Sequence, residues 1–163
     1  MSYWQQRTDL NYYRVIREWL EATPGDSLID VGAFDTPVAT WGQFTTRYAV
    51  DLYSEPDLPG VIGVCDDWIE WAPPFRFDVL TCLQVIEHLP DDAVRPFVDR
   101  LFARSRVQIV SVPWKWPAGR CKWHLQDPID DAKFCRLMSG RVPVQRQVVT
   151  DDGVNRLIAR FEG

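Results

Sequence analysis

Five short apolar segments constrain the fold of this chain more than any other feature. They read SLIDV (27–31), RYAVD (47–51), VIGVC (61–65), DVLTCLQ (78–84) and VQIVSVP (107–113). Each segment has the length of a β-strand, and several are apolar at successive positions instead of alternating with polar residues. Continuous apolarity is typical of parallel strands that are covered on both faces of their sheet. The segments therefore predict a mainly parallel sheet enclosed by helices.

Helical patterns lie before and between these segments. Apolar residues recur at helical spacing over 9–22, where Thr8 or Asp9 is available as a cap. A second amphipathic helix is predicted over 91–104, and a third over 128–138. Strands that alternate with helices are typical of an α/β fold.

The C-terminal segment differs from the rest of the chain. Two β-like runs flank Asp152-Gly153, and this dipeptide is a strong signal for a hairpin turn. The predicted fold is therefore α/β, with a Rossmann-like, mainly parallel sheet, helices on both faces and a C-terminal antiparallel hairpin. Neither a repeat nor a linker interrupts the pattern, so residues 1–163 are expected to form a single domain.

The composition of the chain indicates its cellular location and the classes of partner that it binds. The net charge is -5 at pH 7, which argues against a nucleic-acid partner unless a local basic patch binds it. The four cysteines are widely spaced without a C-x-x-C pair, as expected for reduced thiols in the cytoplasm. No segment approaches the roughly 18 apolar residues of a membrane span. We therefore expect a cytoplasmic protein without a membrane partner.

Acidic residues follow the predicted strands. In a parallel sheet, ligands bind beyond the carboxyl ends of the strands, so these residues are candidates for a binding site. The acidic residues are Asp30 at the first strand, Asp51 at the second, Asp66 and Asp67 after the third, and Glu87 after the fourth.

The spacing of the first two motifs indicates a nucleoside ligand. Asp51 lies 19 residues beyond Gly32, where a carboxylate accepts hydrogen bonds from ribose hydroxyls. A dinucleotide would require further glycines beside its pyrophosphate, but the loop has Phe34 and Pro37 instead. A ligand with adenine and ribose but no phosphate fits better. S-adenosylmethionine is such a ligand, because it carries a sulfonium and an ammonium group.

In these motifs the sequence resembles the class I S-adenosylmethionine-dependent methyltransferases, from about Ser27 to the final hairpin. The matching stretches are Asp30-Val31-Gly32, Asp51, Asp66-Asp67 and FDVLTCLQVIEHLPD (77–91). The resemblance implies that residues 25–163 form a core that binds S-adenosylmethionine, covered by an N-terminal helix within 1–24. The cofactor-binding residues that it implies are Asp30, Gly32, Asp51, Leu52, Asp66, Asp67, Trp68 and Gln84.

Some of these assignments have structural alternatives. Phe34 and Thr36 stand where the family usually has glycine, so Gly32 alone is expected to pass its backbone beside the cofactor. Asp30 and Asp51 could instead close turns or cap helices. Trp68 is predicted to stack on adenine, and the alternative is a core tryptophan among the eight of the chain.

The resemblance also implies that the acceptor binds above the ends of strands four and five. Strand five is followed by WKWPAGRCKWHLQDP (114–128), which combines three tryptophans with lysine and arginine in an acidic protein. Aromatic faces beside positive charges can hold a flat or anionic acceptor, or stack on exposed bases. The alternatives are a loop anchored by its tryptophans and a contact in a homodimer.

Both histidines of the chain, His88 and His124, are candidate catalytic residues. His124 is the better candidate for a general base, because Asp127 can orient its ring if the segment turns. A solvent-facing loop histidine is the alternative. Cys121-x-x-His124 with Asp127 and Cys135 loosely resembles a ligand set, but it lacks the paired half-sites of a structural zinc centre. We therefore predict no metal.

The sequence thus predicts a methyltransferase that acts on a small-molecule acceptor, such as a sugar or a natural-product intermediate. A methyltransferase of RNA or protein is one alternative. A non-catalytic binding module of the same fold, with or without the cofactor, is another. The absence of glycine at Phe34 and Thr36 favours the binding module, whereas the acidic residues at the ends of the strands argue against it.

Overall fold

The computed structural model describes residues 2–163. These residues include one seven-stranded sheet with the strand order β3-β2-β1-β4-β5-β7-β6. The first five strands are parallel, and β7 is antiparallel to both β5 and β6. This arrangement confirms the predicted fold class. The strands are β1 Ser27–Val31, β2 Thr46–Asp51, β3 Ile62–Cys65, β4 Phe77–Leu83, β5 Ser105–Pro113, β6 Gln145–Asp151 and β7 Val154–Glu162. The helices are α1 Asn11–Ala22, α2 Asp91–Arg104 and α3 Asp131–Leu137.

Helices cover both faces of the sheet, which explains the continuous apolarity of its central strands. Successive residues of a strand point to opposite faces. Leu28 accordingly packs in the cluster that contains α1, whereas Ile29 packs in the cluster that contains residues of α2 and α3. Val79 and Leu80 of β4 divide between the two clusters in the same way.

The strand order reverses at the centre of the sheet, between β1 and β4. From β1 the chain proceeds to β2 on one side, and β4 pairs with β1 on the other side. The last residue of β1, Val31, is level with Val50 of β2 and Cys82 of β4. The loop after β1 therefore starts between the carboxyl ends of its two neighbours, where open α/β sheets bind ligands.

The start of α1 differs from its prediction. The helix begins at Asn11, and neither Thr8 nor Asp9 caps it. Instead, the carboxylate of Asp151 at the end of β6 accepts hydrogen bonds from the backbone N–H groups of Asn11 and Tyr12, at 2.9 and 3.0 Å. The cap comes from a distant strand, so the local sequence could not reveal it.

The third helix is shorter than predicted. It starts after Asp130, whose side chain caps it by accepting a hydrogen bond from the backbone N–H of Lys133 at 2.8 Å. The helix ends near Gly140, which has a φ of +76°. None of the helices within residues 2–163 combines the length and apolarity needed to span a bilayer.

Candidate functional site

Gly32 is the first residue after β1, and its position admits no side chain. Its φ is +76°, and a Cβ atom there would lie 2.3 Å from Cγ2 of Val85. Its N–H group donates to the carbonyl oxygen of Val50 at 2.8 Å. Glycine therefore lets the loop after β1 lie directly against the turn after β4.

Phe34 follows in a backbone conformation that favours glycine. Its φ is +47°, its side chain is half exposed, and its N–H group donates to Oδ2 of Asp51 at 3.0 Å. The hydroxyl of Thr36 donates to the carbonyl oxygen of Ala33 and closes the same turn. The loop thus makes a glycine-type turn without glycine at these two positions.

Asp51 is held in place by two backbone groups. Oδ2 accepts from the N–H of Phe34, and Oδ1 accepts from the N–H of Tyr53 at 3.0 Å. Each carboxylate oxygen has more than one lone pair, so both oxygens keep capacity for a further donor. The carboxylate at the end of β2 is therefore fixed beside the loop after β1. The side chains of Leu52 and Tyr53 next to it are exposed.

Asp30 lies beneath this edge of the sheet. Its side chain is buried, and Oδ1 accepts a hydrogen bond from the hydroxyl of Thr81 at 2.7 Å. The pKa of Asp30 is raised to about 7, mainly by burial and to a smaller extent by the nearby charge of Asp51, while the hydroxyls of Thr81 and Thr36 oppose the shift. The carboxyl group thus links β1 to β4 inside the protein.

The end of β3 carries the acidic pair. The backbone N–H of Asp66 donates to the carbonyl oxygen of Asp51, which places the exposed Asp66 beside β2. Oδ1 of Asp67 accepts from the N–H of Ile69 and forms a local turn.

Trp68 is a core residue, which corrects the prediction that it stacks on adenine. Its side chain is only 3% exposed and packs in the cluster beneath the sheet, with the guanidinium of Arg100 5.8 Å from its ring centre. An aromatic residue after a strand has the same local pattern in both cases. Only the tertiary packing distinguishes them.

Gln84 connects three elements at the end of β4. It has a φ of +58°, its N–H donates to the carbonyl oxygen of Ser111, and Nε2 donates to Oγ of Ser111 at 3.2 Å. The hydroxyl of Tyr12 shares a hydrogen bond with the same Oγ atom. Tyr12 and Tyr13 are buried against the sheet, so they are core residues of α1.

The segment after β5 folds over the turn that follows β4. The backbone N–H groups of Leu125 and Gln126 both donate to the carbonyl oxygen of Glu87, at 2.7 and 3.1 Å. These bonds bring the ring of His124 to a centroid distance of 4.9 Å from the ring of His88. The two histidines, both predicted from the sequence as candidate catalytic residues, therefore form one cluster.

Both imidazole rings are oriented through Nδ1. Nδ1 of His124 lies 2.7 Å from Oδ2 of the buried Asp127, which confirms the predicted orienting contact. Nδ1 of His88 lies 3.0 Å from the carbonyl oxygen of Trp123. Because a carbonyl only accepts, His88 carries a proton on Nδ1, and in the neutral ring Nε2 has a free lone pair. Burial lowers the pKa of His88 and favours this neutral form.

Glu87 lies fully buried next to these rings. Within residues 2–163, neither of its carboxylate oxygens has a hydrogen-bond partner. Its pKa is raised to about 8, mainly by burial and to a smaller extent by Asp127, while the proximity of its own backbone N–H and of Arg156 opposes the increase. Nη1 of Arg156 is likewise buried without a hydrogen-bond partner among the described residues. From the sequence, Glu87 was predicted only as one of the acidic residues that follow the strands, although its position inside the apolar stretch QVIEHL also indicated burial.

Glu87, His88 and His124 can each offer one ligand atom within 4.8 Å of the others. Of the residues that the sequence loosely suggested as ligands, only His124 belongs to this group. Cys121 and Cys135 are outside this group, and Asp127 contacts Nδ1 of His124 through its own Oδ2 instead.

Two cavities lie away from the carboxyl ends of the five parallel strands. One of about 520 Å³ is lined by residues of α2 and α3 together with Gln126, and one of about 380 Å³ lies between the N-terminal segment and the β6–β7 turn. Neither is lined by a residue predicted to bind the cofactor. The predicted cofactor residues therefore belong to the edge of the sheet and not to these cavities.

Comparisons with known proteins give structural matches only. No family model matches the chain, and no curated protein sequence matches it either. A 1,6-didemethyltoxoflavin-N1-methyltransferase from Burkholderia thailandensis, solved with 1,6-didemethyltoxoflavin and S-adenosylhomocysteine, has a TM-score of 0.72 and 23% identity. That match covers 94% of this chain and 78% of the other.

Two further solved structures show the same likeness. Magnesium protoporphyrin IX methyltransferase from Synechocystis PCC 6803, with bound S-adenosylhomocysteine, has a TM-score of 0.65 and 16% identity over 92% of this chain and 81% of that chain. A small RNA methyltransferase has a TM-score of 0.66 and 17% identity over 96% of this chain and 25% of its own. The chain therefore has the fold of the class I S-adenosylmethionine-dependent methyltransferases.

Proposed function

We propose that this protein is an S-adenosylmethionine-dependent methyltransferase that acts on a small-molecule acceptor. The observation that carries the proposal is the position of Asp51, whose carboxylate is fixed at the end of β2 beside the loop after β1. A carboxylate at this place in such a fold accepts hydrogen bonds from ribose hydroxyls. Solved structures of the same fold that contain S-adenosylhomocysteine support the choice of cofactor.

The remaining cofactor contacts follow from this placement. Gly32 brings the backbone close to the cofactor, and the exposed Leu52 and Asp66 lie beside the adenine end. Asp30 supports the loop from beneath, because it is buried. The residues proposed to form the cofactor site are Asp30, Gly32, Asp51, Leu52, Asp66, Asp67 and Gln84.

The chemistry requires alignment above all. S-adenosylmethionine bound at this site would supply an electrophilic methyl group, and His124 or His88 would take the proton that the acceptor gives up. The protein must hold the two reactants in line and exclude water. We place the acceptor above the ends of β4 and β5, where the rings of His88 and His124 lie next to each other. The two histidines are the proposed catalytic residues.

Methyl transfer can be tested directly with isotope-labelled cofactor. Incubation with fractionated metabolite pools is expected to produce S-adenosylhomocysteine together with a labelled small molecule. If the protein binds the cofactor but transfers no label to any fraction, the non-catalytic module becomes the better account. A variant with Asp51→Asn serves as the negative control, because it loses the charge that binds the ribose.

RNA is the second candidate acceptor. Trp123 is 66% exposed, and the ammonium of Lys122 lies 4.5 Å from its ring centre. An exposed aromatic face beside a cation can stack on a base, and one of the similar structures is a small RNA methyltransferase. Binding of short RNA that weakens steeply as salt increases would favour this candidate. Undetectable binding at low salt would exclude it.

A further inference from the structure

We propose that Glu87, His88 and His124 bind a divalent transition-metal ion. The ion would lie where the turn after β4 meets the loop after β5. This inference deepens the proposed function, because that region is also the proposed acceptor site. Metal binding itself follows from the cluster alone.

The spacing of the three side chains fits an ion. Their candidate ligand atoms lie within 4.8 Å of one another. Zinc ligands stand about 2.0 to 2.2 Å from a tetrahedral ion, so pairs of ligands are separated by about 3.3 to 3.6 Å. Closure of the site around a metal therefore requires the ligand atoms to approach one another by about 1.5 Å or less. His88 is exposed, which gives the ion a route from solvent.

The rings are held as metal-bound histidines are held. Such histidines usually donate their second ring N–H to a carboxylate or a backbone carbonyl, which fixes the tautomer. Asp127 provides the carboxylate for His124, and Trp123 provides the carbonyl for His88. Both contacts use Nδ1, so both Nε2 atoms remain as ligands. A histidine that served only in packing would not require a hydrogen-bond partner at Nδ1.

Glu87 supplies an independent argument. A fully buried carboxylate without hydrogen bonds is costly to fold, because it loses its hydration without replacement. Its backbone carbonyl already accepts two hydrogen bonds from the loop after β5, so the residue cannot easily turn out to solvent. A divalent cation would compensate for the lost hydration and neutralise the charge.

The ligand set indicates which ions fit. Two imidazoles and one carboxylate suit Zn²⁺ and neighbouring first-row ions, whereas Mg²⁺ and Ca²⁺ prefer oxygen ligands. Three protein ligands leave at least one coordination position open for water or an oxygen atom of the acceptor. In the metal-loaded protein His124 acts as a ligand and not as a general base. The acceptor is then expected to carry a hydroxyl or carboxylate oxygen.

Cobalt titration of the metal-free protein tests the proposal. The protein, with any histidine tag removed, is treated with chelator and titrated with Co²⁺ while visible absorption is recorded. We expect saturation at one ion per chain and reversal by Zn²⁺. His88→Ala, which alters an exposed side chain, and Glu87→Gln, which keeps the side-chain volume, should each weaken Co²⁺ binding by more than about 100-fold.

Matched variants separate ligands from neighbours. Cys121→Ala should leave affinity and spectrum unchanged, whereas Asp127→Asn should weaken binding by about 10- to 100-fold through the orientation of His124. Retention of wild-type Co²⁺ affinity within threefold by His88→Ala and by folded Glu87→Gln would overturn the proposal, as would the absence of binding at millimolar Co²⁺. Calorimetry with S-adenosylmethionine on the same samples keeps the two proposals separate. Cofactor binding without metal binding refutes only the metal site, and the reverse result refutes only the methyltransferase.

Discussion

At the scale of single residues, the site contains one unfavourable backbone conformation and one buried carboxyl group. Phe34 adopts a left-handed conformation so that its N–H group reaches Asp51. Asp30 is buried almost completely between β1 and β4. Both features are measurable in isolation from catalysis.

The conformation of Phe34 predicts an unusual order of stability. Phe34→Ala and Phe34→Gly both remove the ring that packs edge-on against Tyr3. Only alanine retains a Cβ atom in the left-handed conformation, which costs about 1 to 2 kcal/mol. The glycine variant should therefore be more stable than the alanine variant by about 1 kcal/mol in urea unfolding. Equal stabilities, or greater stability of the alanine variant, would show that the loop does not hold this conformation.

The burial of Asp30 predicts a pH dependence. Its folded pKa of about 7 lies above the usual 3.8, so its contribution to stability is complete below about pH 4 and is lost as the pH rises through 7. Asp30→Asn mimics the protonated form, and its stability relative to the natural protein should therefore increase between pH 4 and 8. A change of one in pKa corresponds to about 1.4 kcal/mol.

Unfolding curves in chelator at several pH values measure this difference. Asp51, Cys82 and Tyr13 are the titratable groups that interact with Asp30, and they are common to both proteins. Glu87 is common to both as well, so it largely cancels in the comparison. Parallel pH profiles for the two proteins would contradict the buried, raised-pKa description of Asp30.

At the scale of elements, distant segments hold each other in place through a few directed hydrogen bonds. Asp151 at the end of β6 caps α1, and the carbonyl of Glu87 anchors the loop after β5. The first contact fixes the N-terminal helix against the sheet. The second brings His124 to His88, and with it creates the candidate acceptor site.

The cap of α1 can be tested with two aspartates. Asp151→Ala removes the acceptor for two backbone N–H groups and should lower the free energy of unfolding by about 0.5 to 2 kcal/mol. Asp9→Ala, at the cap position that the sequence suggested, should change it by less than about 0.5 kcal/mol. A larger loss at Asp9 than at Asp151, measured by denaturant unfolding, would restore the local cap.

At the scale of the whole molecule, the strands were predictable because apolar runs and turn residues act locally. The five parallel strands and the hairpin at Asp152-Gly153 lie within a few residues of their predicted positions. The contact between His88 and His124 was not predictable, because it depends on how a loop lies over a neighbouring turn. The burial of Trp68 was missed for the same reason, since its local pattern is equally consistent with an exposed ring.

This fold is expected to bind S-adenosylmethionine through Asp51, and titration calorimetry measures that binding. The natural protein should bind both S-adenosylmethionine and S-adenosylhomocysteine. Hydrogen bonds to a charged acceptor contribute about 1.5 to 3 kcal/mol each, so Asp51→Ala should weaken binding by about 10- to 1000-fold. Asp92→Ala, an exposed carboxylate at the start of α2, should leave the affinity unchanged. If the natural protein gives no binding heat and no thermal shift at millimolar cofactor, it does not bind S-adenosylmethionine, and the proposed function is wrong.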